Sequence, residues 1–91
     1  MQIIRQAMAG TLESSDVLVE ISPADRICIE LESPVKAQFG DSILATAKEV
    51  LEAQGVQGAQ VRLQDQGALD CTLRARLETC IARASQEEDH A

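Results

Sequence analysis

Three stretches of this chain alternate apolar and polar residues with a period of two, two others repeat with a helical period, and their order leaves few folds open. Val17-Leu18-Val19-Glu20-Ile21 places Val17, Val19 and Ile21 on one face, and Arg26 to Glu32 does the same with Ile27, Ile29 and Leu31. Gly58 to Gln64 repeats the pattern with Ala59, Val61 and Leu63 inward. Each reads as a strand buried on one side. Ile3 to Leu12 alternates less well and is expected as a further strand, although its small residues also suit an ordered extended arm. Paired with Val17–Ile21 it would form a hairpin whose connection is Glu13 to Asp16.

The helical stretches fall on either side of the last strand. Val35, Phe39, Ile43, Ala47, Val50 and Leu51 form one apolar stripe. Ser33 is expected to cap this helix, Pro34 to take its first position, and Gly55 to close it. Gly40 weakens the pattern by roughly 1 kcal/mol relative to alanine, so a break near Gly40-Asp41 is plausible. After the turn Asp65-Gln66-Gly67, a second stripe of Leu69, Leu73, Leu77, Cys80, Ile81 and Ala84 is the cleanest in the chain. A strand, a helix and a strand in that order can form a parallel crossover. The expected fold is α+β, a two-layer sandwich in the order β-β-β-α-β-α, with about four strands and two helices on one face. One domain would span residues 1–84, with residues 85–91 as a disordered acidic tail.

Ninety-one residues allow one core and no deep cleft, which makes a self-contained enzyme a poor expectation. Phe39 is the sole aromatic residue. The formal net charge is −7, and residues 13–32 hold Glu13, Asp16, Glu20, Asp25, Glu30 and Glu32 against Arg26 alone. Such a surface disfavours nucleic acid and anionic membrane and suits basic protein partners, with Glu13, Asp16 and Glu20 as contact candidates, while simple solubility explains any single one equally well. Cys28, Cys71 and Cys80 are odd in number and lack CxxC spacing, which argues against a disulfide framework and a zinc site. Asp65, Gly67 and Asp70 are too few ligands for calcium or magnesium, and no metal is expected. No signal-peptide pattern or membrane-length apolar run is present, so a reducing cytoplasm is the expected location.

Chemistry concentrates at Ser14-Ser15, between Glu13 and Asp16. A nucleophilic serine needs a base within reach, yet the one histidine is His90 in the tail, and the neighbouring carboxylates oppose a developing alkoxide. No catalytic residue is therefore assigned. Ser14 remains open to two readings: a solvated turn, or an exposed hydroxyl on which another enzyme acts. Arg74, Arg76 and Arg83 read as solvated helix residues, with acidic partners or phosphates as the alternative.

Ala9-Gly10-Thr11-Leu12-Glu13-Ser14-Ser15-Asp16-Val17 resembles the N-terminal motif of the citrate lyase acyl carrier proteins, the small gamma subunits of that complex. Gln38-Phe39-Gly40-Asp41 and Asp65 to Glu78 resemble the family's later motifs, in the same order and at similar spacing. The resemblance implies that Ser14 carries 2'-(5''-phosphoribosyl)-3'-dephospho-CoA through a phosphodiester, its thiol bearing acetyl and then citryl. It implies an alpha subunit that exchanges acetate for citrate and a beta subunit that cleaves the citryl carrier to oxaloacetate and acetyl carrier. A prosthetic-group transferase and an acetate ligase are further implied partners. Many members resemble one another in having Gly after the modified serine; here the position is Ser15, a second candidate ranked behind Ser14. Gly40-Asp41-Ser42-Ile43-Leu44 resembles the signature of ordinary phosphopantetheine carriers, but those are helical bundles, so Ser42 also ranks behind. The alternatives are a carrier in a malonate decarboxylase-type complex and a non-covalent acidic adaptor.

Overall fold

The alternating runs pair as their apolar faces require. In the computed structural model, which describes residues 1–86, the strands are β1 (Ala7–Ala9), β2 (Val17–Ser22), β3 (Ile27–Glu32) and β4 (Ala59–Asp65), and the helices α1 (Lys36–Ala53) and α2 (Asp70–Ser85). They follow the expected order and form one four-stranded sheet, β1-β2-β4-β3. β4 enters the middle, antiparallel to β2 and parallel to β3, so β3-α1-β4 is the anticipated crossover. Val17, Val19, Ile21, Val61 and Leu63 are buried, while Glu30, Glu32 and Arg62 of the other parity are exposed. α1 packs on β3, α2 on β1 and β2, and the helices pack on each other. One continuous core results, joining Leu51 of α1 to Leu77 and Ile81 of α2 across the sheet.

β1 is much shorter than the run Ile3 to Leu12 suggested. The backbone N–H groups of Ile4 and Arg5 donate to the Ala84 carbonyl at the end of α2, at 2.9 and 3.2 Å, which takes this segment out of the sheet to satisfy an open helix end. Beyond Ala9 the chain leaves β2, so the connection runs from Gly10 to Asp16 and not merely from Glu13. Ser85, assigned to the tail, closes α2; residues 87–91 lie outside the described residues.

α1 begins later than expected. Ser33 does not cap it directly: its Oγ accepts the Val35 N–H at 3.2 Å and donates to Asp65 Oδ2 at 2.8 Å, and Pro34 sits in the turn that precedes the helix. Gly40 causes no break. It is buried where the helix meets β3, and an added Cβ would lie 3.9 Å from Leu31 Cδ2 and 3.1 Å from Lys36 Cγ. Because Gly40 takes that inner position, Phe39 is turned outward at 56% exposure, contrary to its place in the predicted stripe. At the other end, Gly55 at φ +70° donates to Glu52 O and Val56 to Leu51 O, both 2.9 Å, a Schellman closure sealed by the buried Leu51 and Val56.

Cys80 is fully buried, its thiol donating to the Ala7 and Val19 carbonyls at 3.4 and 3.6 Å, and burial pushes its pKa up to about 11. It is a packing group with little thiolate character. Cys28 and Cys71 are exposed free thiols. No described helix is long and apolar enough to cross a membrane.

Gly10 (φ +92°) and Gly67 (φ +87°) share a left-handed backbone but not their surroundings: a Cβ on Gly10 would overlap the Val17 carbonyl oxygen, while one on Gly67 would meet nothing within 4 Å. Gly67→Ala is expected to cost about 1 kcal/mol, the conformational penalty alone. Gly10→Ala adds a backbone clash and should cost about 1–3 kcal/mol more. Thermal unfolding of the pair checks this, and equal losses would contradict it.

Candidate functional site

Glu13 to Asp16 form a β-turn closed by the Asp16 N–H donating to Glu13 O at 3.1 Å. Ser14 occupies its outer corner and is exposed, and among the described residues no hydrogen bond engages its Oγ. Ser15 follows at φ +66°, the left-handed conformation that a turn of this kind demands at its third position and that glycine adopts with least strain. A glycine there, as the family resemblance leads one to expect, would suit the backbone better.

The turn is anchored from two sides. Ser15 N–H donates to Gln66 O and Gln66 N–H to Asp16 O, both at 2.8 Å, which fixes the tip to the loop after β4. Asp16, expected as a contact residue for basic partners, is instead turned inward with 13% of its side chain exposed. Its oxygens accept Arg76 Nε and Nη2 at 3.0 and 2.9 Å, Thr11 Oγ1 at 2.7 Å and the Val17 N–H at 2.7 Å. Arg76 above all, then Thr11 and Val17, holds this carboxyl well below the usual carboxylate range. Thr11 Oγ1 also accepts the Glu13 N–H at 3.1 Å, completing the loop.

The arginines read as solvated are likewise engaged within the chain. Arg76 grips Asp16, Arg83 donates to the Met8 carbonyl at 2.7 Å, and Arg74 bridges Asp70 at 2.8 Å and Glu49 at 3.1 Å. Arg74 first, then Thr46 Oγ1 at 2.8 Å, lowers the pKa of Asp70. Asp65 is buried and accepts Ser33 Oγ at 2.8 Å and the Ala68 N–H at 2.9 Å, so it braces two loops. No group of three or more His, Cys, Asp or Glu among the described residues is arranged to hold a metal.

Of the remaining candidates, Glu13 is exposed at the tip, whereas Glu20 is half-buried on the open sheet face, opposite Met8 and Arg62. Ser42 is on α1, in the wall of a groove rimmed by Phe39 and Leu69. Leu69, assigned to the α2 stripe, is 68% exposed because it precedes the helix as its N-cap residue. Sequence reasoning missed Thr11, Gln66 and Arg76 as supports of the turn. Arg76 lies 60 residues from Asp16, and only its place in the run Asp65 to Glu78 that resembles a family motif hinted at a role.

The family described as the malonate decarboxylase delta subunit, an acyl carrier protein family, matches residues 4–84. A citrate lyase acyl carrier protein of Escherichia fergusonii is 50% identical over 91 residues, covering 98% of this chain and 94% of its own length. One of Haemophilus influenzae is 52% identical over 87 residues, covering 96% and 92%. The chain belongs to the citrate lyase acyl carrier protein family. Its role is that of a non-catalytic acyl carrier, as the resemblance implied. The fold agrees with a chain in the crystal structure of a Pseudomonas malonate decarboxylase hetero-tetramer in complex with malonate, at TM-score 0.79 and 19% identity, covering 90% of this chain and 86% of that one.

Because Asp16 is more acidic folded than unfolded, its contribution is complete above about pH 5 and is lost as pH falls through 4 and below. Asp16→Asn should lower the unfolding temperature at pH 7 and flatten its decline between about pH 5 and pH 3. Parallel wild-type and variant curves would count against the clamp. Ser15→Gly removes the left-handed strain and should gain about 0.5–1 kcal/mol, read as a higher unfolding temperature.

Proposed function

We propose that this chain is the acyl carrier of a citrate lyase and that Ser14 is where its prosthetic group, phosphoribosyl-dephospho-coenzyme A, is attached by a phosphodiester. The observation that carries this reading is the exposed, unengaged Ser14 hydroxyl on a turn whose every neighbour is tied down. A bulky nucleotide-containing group fits such a site, since the hydroxyl stands on the exposed corner of a turn. When bound, the group supplies a thiol that holds acyl cargo as a thioester.

The residues of this chain do the rest without bond-making. Ser14 offers the oxygen; the base that takes its proton belongs to the modifying enzyme, because Asp16 is locked to Arg76 and Glu13 is a solvated carboxylate. Ser15, Asp16 and Gln66 fix the pivot. A fixed pivot makes visits to two active sites intramolecular, which raises the effective concentration of the cargo at each. The partners on this reading are the alpha and beta subunits, the transferase and the acetate ligase, acting in a reducing cytoplasm. Citrate is favoured over malonate because the relatives at half identity are citrate lyase carriers, which outweighs the family match to the malonate decarboxylase delta subunit and a malonate decarboxylase fold likeness at 19% identity.

Intact mass and a peptide map of protein from its native host are expected to reveal a coenzyme A-derived adduct on residues 11–17. Ser14→Ala should abolish both the adduct and turnover of the reconstituted complex, with an unfolding temperature close to that of the parent. An active complex with Ser14 bare would refute the assignment.

A further inference from the structure

Phe39 and Leu69 are 56% and 68% exposed, and the sole aromatic residue of the chain is spent on solvent instead of the core. Phe39 and Leu69 rim a groove of about 410 Å³ between α1 and the start of α2, with Ile43 and Leu73 in its walls. Its wall begins at Gly67, next to Gln66, the residue whose N–H and carbonyl bind the Ser14 turn. Groove and hydroxyl therefore share one rigid support.

We propose that this groove is the docking surface of the enzyme that transfers the prosthetic group to Ser14, and that it receives an apolar side chain flanked by basic residues. The inference rests on the attachment to Ser14 argued above. An enzyme that acts on the hydroxyl itself must close over the turn and touch what borders it; enzymes that act on the far thiol need not. Charge selects against the alternative occupant, the arm itself. Asp65 and Asp70 in the wall are already engaged by Ser33 and Arg74, but the net charge of −7 and the exposed Asp41, adjacent to Ser42 of the wall, disfavour phosphates and acyl carboxylates and favour a basic protein surface. Desolvating Phe39 and Leu69 against a partner would make them anchors of the contact.

The test uses the unloaded protein, the host's transferase and an activated phosphoribosyl-dephospho-coenzyme A donor, with loading followed by intact mass. A Phe39→Ser, Leu69→Ser double variant should lose about tenfold or more in kcat/KM for loading, through KM, and bind the transferase correspondingly more weakly in a Ser14→Ala background. Both side chains are exposed, so the fold should survive, as unfolding temperature verifies. Met8→Ser, on the open sheet face at 53% exposure, should load within about twofold of wild type. Loading of the double variant on Ser14 at the wild-type rate overturns this proposal alone. A wild-type adduct at another residue overturns it together with the Ser14 assignment. If loading by itself, with no other protein present, shifts the NMR signals of Phe39 and Leu69, the groove holds the arm and the proposal is wrong.

Discussion

The structure depends on β4 lying between β2 and β3. Its two neighbours are made first in the chain and cannot complete a sheet until residues 59–65 arrive to bridge them, antiparallel on one side and parallel on the other. The parallel pairing requires a crossover, and α1 supplies it; the antiparallel pairing sets Val17 opposite Asp65, which brings the start of β2 and the end of β4 together. From that junction the chain gains both Asp65, which ties Ser33 to Ala68, and Gln66, which ties the Ser14 turn. Because these pairings link distant parts of the chain, the tip acquires its support only when the sheet is whole.

Electrostatics at that end serve position more than attraction. Asp16, Arg76, Asp70, Arg74 and Glu49 form ion pairs within the chain, each oriented by a hydroxyl or a second pair. Exposed pairs such as Arg62–Glu32 at 3.4 Å contribute little, whereas the forked Asp16–Arg76 pair shields the carboxylate, though not the guanidinium, and is geometrically specific. Negative charge at the tip is thus reduced to Glu13, and the surface that remains for recognition is apolar with acidic flanks. The arrangement separates two tasks, with one set of side chains fixing the serine and another meeting whatever approaches it.

Much of the fold was legible because period and burial coincide. The parities of β2, β3 and β4, the stripe from Leu73 to Ala84 and the closure at Gly55 follow from sequence, since each is decided by neighbours within a turn or a strand. The errors share a cause: distant partners overruled local pattern. Ile4 and Arg5 abandon the sheet for the end of α2, Gly40 takes the inward position that Phe39 was expected to hold, and Ser33 prefers Asp65 to the helix. Exposure of Ser14 follows from its turn residues, yet the clamp beneath it does not, because nothing in the residues around Asp16 indicates an arginine on the last helix.

The left-handed Ser15 and the doubly held Asp16 have a consequence for timescale. A corner bonded to both a loop and a helix opens less readily than a free turn, and the bonded amides of Ser15 and Asp16 should exchange more slowly than that of Ser14, for which the described residues provide no partner. Anything tethered to such a corner swings through bond rotations in the tether alone. Its sweep is then a sphere of fixed centre, and delivery to a neighbouring catalytic pocket becomes a question of radius and not of platform dynamics.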